Sequence, residues 1–287
     1  MNVLPLARRA AILKALTEGC SVRSAARMAG VSKNTVLKLL AEVGEFCSVY
    51  QDHVLRNLPC TRIEVDEIWA FVGKKQKHAR IEGQGDVWTF TALCADTKLM
   101  VTWLVGVRNV ENTHSFIYDL AARFTGRIQL TTDGNLAYKT AVESAWGWNG
   151  VDFAQLIKTY GADPESKNAR RYSPPVCIGI EKRPIMGDPD LSKVSTSYVE
   201  NSNLALRMQN RRFTRLTNGF SRKVENHAYA VALHFMTHNF CRPHGTLTKK
   251  AGGVHTTPAM AAGLTDRVWK VEDLLGLMDG LIGGKGE

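Results

Sequence analysis

Three acidic residues, Asp66, Asp133 and Glu200, fall at positions from which they could act together on a metal ion. Asp66 interrupts Arg-Ile-Glu-Val-Asp-Glu-Ile-Trp, an alternating stretch of β-forming residues that otherwise suits a buried strand. A charge in a core strand needs a neutralising partner, and a divalent cation is one. Asp133 ends the strand pattern of residues 127–132, and Gly134 lets the chain turn, a usual place for a functional side chain. Glu200 lies near the start of a helical pattern that opens at Tyr198, and Asn203, Arg207 and Arg211 return to its face. A carboxylate followed by Asn and Arg on one helix face can ligand a metal while its neighbours hold a phosphate. Oxygen donors of this kind suit two Mg²⁺ ions, with Mn²⁺ as a substitute. Such ions activate a water or a 3′-hydroxyl and stabilise the leaving oxygen of an in-line displacement at phosphorus. Each acid also has a plainer reading: Asp66 as a strand-end acid, Asp133 as a turn former, Glu200 as a first-turn helix residue. Glu64, Glu67, Asp188 and Asp190 are rivals. Glu67 is the strongest, but strand alternation cannot direct both it and Asp66 into one site.

The elements that must position these acids follow from periodicity. Strands are predicted over 62–73, 86–95 and 99–107, then a helix over 111–124, a strand over 127–132, a helix over 137–146 and a strand over 153–158. Helices return over 198–216 and 224–240, with a short one near 271–278. Between them, residues 159–197 hold five of the nine prolines, which marks an insertion with at most a short strand pair around 176–180. This order is that of an α/β, ribonuclease H-like mixed sheet flanked by helices. In that fold the first and fourth strands are neighbours, so Asp66 and Asp133 are expected side by side, repelling one another unless metal is bound.

Ahead of the sheet, residues 1–45 read as three short helices. Ser21 caps the second, Gly30 ends it, and Ser32 caps the third. A small-residue helix, a tight turn and a Ser-capped helix make a helix-turn-helix, whose recognition helix would present Lys33, Asn34, Thr35 and Lys38 to phosphates or base edges. A plain three-helix bundle is the alternative. Residues 46–60 are expected to be a linker, 61–245 the catalytic domain, and 246–287 a tail with one short helix.

Charge supports a polyanionic partner. The net charge is +10, and it is unevenly placed. Residues 1–60 carry eight Lys/Arg against four Asp/Glu, 61–197 seventeen against sixteen, 198–250 nine against two, and the remainder three against five. Two basic blocks thus flank a neutral core. Arg211, Arg212, Arg215, Arg222 and Lys223, with Phe213 and Phe220 between them, suit a phosphate-tracking face or, more plainly, a solvated helix side. His227, His234 and His238 fall at helical spacing, where core or capped histidines are favoured over a metal pair. The six scattered cysteines lack metal or disulfide spacing. No apolar run approaches a membrane span, and the N-terminus lacks a signal-peptide pattern, so a cytoplasmic, nucleoid-associated protein is expected.

Three segments carry a resemblance. VDEIWAFVGKK, TTDGNLAY and STSYVENSNLALRMQNRRFTRLTNGFS resemble transposases of the insertion-sequence-one family, within the DDE group. The resemblance implies that Asp66, Asp133 and Glu200 are the catalytic acids and that Arg207 is the basic residue two turns after the glutamate. It also implies metal-dependent cleavage at element ends and strand transfer into target DNA, with the helix-turn-helix on the terminal inverted repeats and at least a dimer on DNA. The sixty-six residues between Asp133 and Glu200 exceed the interval of the shortest members. A substrate-gripping flap, a dimer contact and a tolerated loop all remain open for the insertion. A ribonuclease H-like nuclease that cuts without joining and a catalytically silent DNA-binding regulator are the competing readings.

Overall fold

A computed structural model describes residues 3–161, 177–214 and 217–283. Its centre is one six-stranded mixed sheet: β1 (Arg62–Val72), β2 (Gly85–Cys94), β3 (Met100–Gly106), β4 (Gln129–Asp133), β5 (Asp152–Tyr160) and β6 (Cys177–Met186), in spatial order β3-β2-β1-β4-β5-β6. The first three strands form an antiparallel meander, β1, β4 and β5 run parallel, and β6 returns antiparallel to β5. A three-stranded meander continued by two parallel strands beside its first member is the ribonuclease H-like arrangement, here with one added edge strand.

Strand alternation sorts the two faces. Ile68 and Val87 pack with Val199 and Leu206 of α6 (Ser197–Gln209) and Val231 and Phe235 of α7 (Val224–Met236). Ile63, Val65 and Phe90 face Phe116 and Leu120 of α4 (Val110–Ala121) and Tyr138 and Val142 of α5 (Leu136–Trp146). Burying these side chains stabilises the fold by roughly 1.5–3 kcal/mol each.

The N-terminal helices are α1 (Leu6–Thr17), α2 (Val22–Ala29) and α3 (Lys33–Val54). Ser21 and Ser32 cap α2 and α3 as expected, and Gly30 takes the left-handed conformation between them. The expected linker at 46–60 is not one: α3 continues to Val54. Gly44 lies where α3 crosses α7, and a Cβ there would come within 2.4 Å of Tyr229 Cβ. Buried Gln51 donates to the Ala232 carbonyl at 3.2 Å and accepts from Asn239, which also bonds both backbone groups of Met100. Leu13, Leu40 and Val43 share one core with Phe90, Leu233 and Phe240, so the N-terminal helices and the sheet are packed together rather than tethered.

The insertion and the late helices also differ from expectation. Its described part contains the ten-residue β6, longer than the short strand pair expected, because antiparallel pairing with β5 satisfies its backbone hydrogen-bonding groups. The helix expected to reach residue 216 ends at Gln209. Asn210 breaks it and caps the short turn Arg211–Phe213. After α7, a π-type turn over Thr237–Cys241 leads into α8 (Gly245–Lys250), α9 (Pro258–Ala261) and α10 (Val271–Gly283), more helix than the tail pattern predicts.

Candidate active site

Asp66 sits mid-strand in β1 on the face covered by α6. Its carboxylate accepts from the Asn203 amide at 2.8 Å, and its carbonyl accepts from the Thr91 hydroxyl at 2.9 Å. Thr91 also lies 3.3 Å from Asn203 Oδ1. The β1–β4 pairing runs as far as Glu64 opposite Thr131, and Asp66 and Asp133 each lie two residues beyond that pair on neighbouring strands. Asp133 ends β4 with a half-exposed side chain that accepts from the Asn135 backbone N–H at 3.0 Å. Glu200, in the first turn of α6, accepts from Lys158 of β5 and from the Thr196 hydroxyl.

The electrostatics place the acids in one field. Burial pushes the Asp66 pKa up, the Glu67 N–H and Asn203 amide oppose this, and the charges of Glu200 and Asp133 push it up again. Burial lowers the Lys158 pKa, but its bond and attraction to Glu200, with further charge from Tyr160 and Asp66, leave it raised overall.

The two rival acids on β1 hold the site from outside it. Glu67 points to the opposite face, where burial raises its pKa despite the Tyr138 hydroxyl at 2.7 Å and the Arg108 guanidinium at 2.7 Å. Arg108 extends to within 3.6 Å of Asp133 and lies over the Trp88 ring, so it links Glu67 to Asp133. Glu64 shares the Asp66 face and is only 3% exposed. It accepts from the backbone N–H groups of Tyr198 at 2.8 Å and Val199 at 3.0 Å, the free donors at the start of α6. Thr196 precedes the helix but spends its hydroxyl on Glu200, so Glu64 supplies the cap from a distant strand. Burial raises Glu64 to a pKa of about 6. Asp190 instead caps a short turn over Leu191–Lys193, and the backbone of Asp188 is bonded to Asp152.

Asp66, Asp133 and Glu200 offer the hard oxygen donors that Mg²⁺ prefers. Among the described residues, however, no three His, Cys, Asp or Glu side chains converge closely enough to hold a cation as they stand. Glu200 is turned to Lys158. The donor chemistry fits a hard cation, and the Lys158 ammonium stands beside Glu200 as its competitor.

Two residues expected to contact DNA have other duties. Asn203 is 5% exposed and bonded to Asp66 and Thr91, so it positions a carboxylate. The Arg212 guanidinium is buried, donates to Ser221 at 2.6 Å, and has its pKa lowered to about 10 by burial. It lies inward because the helix has already broken at Asn210. Arg207 and Arg211 are partly exposed, and Arg215 lies outside the described residues. At the start of α3, Lys33, Asn34 and Lys38 are exposed, whereas the Thr35 hydroxyl pairs with Ser32. His227 and His234 are core histidines held neutral by burial, and His238 bonds the Lys98 carbonyl.

No known protein-family profile matches the chain, and no curated protein matches it. Among solved structures, it is similar to the Argonaute of A. aeolicus, with 13% identity over 63% of this chain and a TM-score of 0.27. A second structure of Aquifex aeolicus Argonaute matches with 12% identity over 61% of this chain and a TM-score of 0.26. The chain spans 29% and 28% of those two proteins.

Proposed function

We propose that this chain is a DDE-type transposase that binds insertion-element ends and catalyses DNA strand cleavage and strand transfer. The observation that carries the reading is the placement of Asp66 and Asp133 on adjoining parallel strands, with Glu200 on a helix anchored over the same face by Glu64 and Asn203. The resemblance of the segments around all three acids to insertion-sequence-one transposases supports it.

In this reading Asp66, Asp133 and Glu200 hold two divalent ions, Mg²⁺ or Mn²⁺. When bound, such ions supply a nucleophilic oxygen at neutral pH and charge stabilisation for the leaving oxygen. The chain's own residues do the positioning. Asn203 fixes the Asp66 carboxylate, Arg108 steadies Asp133, and the Glu64 cap fixes where α6 presents Glu200. In this reading Arg207 and Arg211, on and just after α6, hold the phosphates flanking the reacting one. Lys33, Asn34 and Lys38 form the exposed start of α3, a surface suited to the terminal repeats. Two ends must be joined in one event, which calls for at least a dimer on DNA. No helix among the described residues is long and apolar enough to cross a membrane.

The test is incubation with Mg²⁺ or Mn²⁺, a donor duplex carrying the element end, and a target plasmid. Joined product is expected. Asp66→Asn, Asp133→Asn and Glu200→Gln should each abolish it while end-binding survives. Cutting without joining would reassign the chain as a nuclease, and binding alone would make it a regulator. If Asp66→Asn kept activity and Glu67→Gln lost it, the site would be misassigned.

A further inference from the structure

We propose that the β1–β2 hairpin, residues 73–85, is a duplex-DNA clamp that grips the phosphate backbone well away from the carboxylates. Within it Lys74, Lys75, Lys77 and Arg80 are all exposed, alongside His78 and against the single acid Glu82. Arg222 and Lys223, also exposed, extend the same surface. The joint is tight. Val72 pairs with Ser221, Gly73 N–H donates to the Ser221 carbonyl at 2.7 Å, and the Phe71 and Phe220 rings lie 4.9 Å apart.

Three observations separate this surface from ordinary solvated charge. The first concerns pairing. Some surface cations elsewhere, such as Lys14, Arg56, Arg127, Arg183 and Arg267, are matched to carboxylates, and others, such as Lys249 and Lys250, are not; here the unmatched ones fall together. Among the described residues the six cations of this surface have no carboxylate partner, and only Lys75 has a ring contact, 5.9 Å from Trp69. Six unmatched positive charges on one ridge create a field that attracts a polyanion.

The second is that the loop is built rather than slack. Gln76 and Asp86 clamp its neck reciprocally, with Gln76 N–H donating to Asp86 at 3.1 Å and Asp86 N–H to Gln76 at 3.2 Å. Residues 76–78 form a helical turn, and Gly73, Gly83 and Gly85 take positive φ values of 68°, 78° and 129°. At Gly85 a Cβ would fall 2.2 Å from the Gln76 oxygen of that clamp, so the neck closes only around glycine. A preformed loop loses little entropy on binding.

The third concerns which nucleic acid fits. Single strands are gripped by exposed aromatic faces on which bases stack. Here Trp69, Phe71 and Phe220 are partly buried against one another, 5.9 Å and 4.9 Å apart. They support the ridge and offer no open ring face, so beside the exposed Ile81 its offering is mainly charge, which is the chemistry of duplex backbone contact.

The hairpin begins seven residues beyond Asp66 along an extended strand, a separation of about 23 Å. Backbone phosphates recur about every 3.4 Å along one strand of a duplex, so the clamp would meet DNA about seven nucleotides from the reacting phosphate. This last point rests on the transposase reading; the charge-based binding does not.

The experiment is therefore in two parts. In metal-free buffer, the full chain is titrated with a short random-sequence DNA duplex over a series of salt concentrations. The comparison is the Lys74→Ala/Lys75→Ala/Lys77→Ala/Arg80→Ala variant, with Lys249→Ala/Lys250→Ala as a control at exposed cations on α8. Loss of three or four phosphate contacts should flatten the plot of log affinity against log salt by about three units, with the control near wild type. An unchanged slope, an equal per-charge effect in the control, or equal affinity for single-stranded DNA would overturn the proposal. Thermal unfolding of the variant is expected to match wild type, since the replaced side chains are exposed. In the second part, a photo-crosslinking residue replaces Lys77 and the full chain is mixed with end-bearing donor DNA. Crosslinks about seven nucleotides from the cleaved phosphate support the geometry, and crosslinks beside it refute it. Loss of the salt effect sinks the clamp, whereas a retained salt effect without donor cleavage sinks only the enzymatic reading.

Discussion

Replacing Glu64 with glutamine should make the protein more stable at neutral pH. The carboxyl is almost fully buried, and burial raises its pKa from the ordinary 4.5 to about 6 in spite of two backbone donors at 2.8 and 3.0 Å. A carboxyl whose folded pKa exceeds its unfolded one is more protonated in the folded state between those values. Stability is therefore highest below pH 4.5, falls as pH rises through 6, and stays reduced above it. The interval from 4.5 to about 6 corresponds to about 2 kcal/mol. The amide of Glu64→Gln is neutral at every pH and keeps one oxygen to accept from Tyr198 or Val199. The variant should thus match wild type near pH 4 and exceed it by up to about 2 kcal/mol at pH 7.5, a rise in Tm of a few degrees. The assay is urea unfolding of both proteins at matched pH values, read as the difference between them so that other titrating groups cancel. A pH-independent difference, or a variant less stable than wild type at pH 7.5, would refute the reasoning. Wild type would then draw more from the charge on the α6 N-terminus than burial costs it.

Three further outcomes follow from neighbouring contacts. Lys158→Met removes the cation on Glu200 and should tighten Mn²⁺ binding to the DNA-free protein roughly fivefold, for a partly exposed pair worth about 1 kcal/mol; unchanged affinity by calorimetry would show that the lysine does not compete. Asn203→Leu keeps the volume but leaves Asp66 and Thr91 without their partner, so strand transfer should fall by about two orders of magnitude while duplex binding holds. Loss of binding in the same proportion would return Asn203 to the DNA contacts. Arg212→Met should leave the salt slope of duplex binding unchanged, whereas Arg211→Ala should flatten it by about one unit.

Much of the fold was legible because the sheet obeys two-residue periodicity. The meander, the parallel β4 and β5 and the two late helices follow from alternation and spacing, as do the caps at Ser21 and Ser32. Long-range pairing was not legible. Gly44 lowers helix propensity, yet it lets α3 and α7 cross closely, a fact written in Tyr229 far along the chain. The same limit applies at the site. Alternation correctly groups Glu64 with Asp66 and separates Glu67, but only the folded chain shows Glu64 reaching the start of α6. Arg212 misled because the basic run was projected onto a helix that ends at Gln209; once Asn210 breaks it, residues three and four apart no longer share a face. Asn203 was correctly placed beside Glu200, but its amide is turned to the strand and not to solvent.

Each candidate acid has its own holder, and the holders differ in kind. Asp66 is held by a neutral amide, Asp133 by an arginine shared with Glu67, and Glu200 by a lysine and a hydroxyl. A neutral partner leaves a carboxylate's full charge available to a cation, whereas a cationic partner must yield or be balanced. In the proposed transposase reading, Asp66 is thus the ligand best prepared to take the first ion, and Glu200 the one at which a cation competes with Lys158. Glu64 keeps α6 anchored through its backbone whichever way the Glu200 side chain turns. Glu64→Gln therefore separates two quantities that a catalytic acid would couple: it relieves a buried charge throughout the folded protein, yet touches the chemistry only through the position of α6.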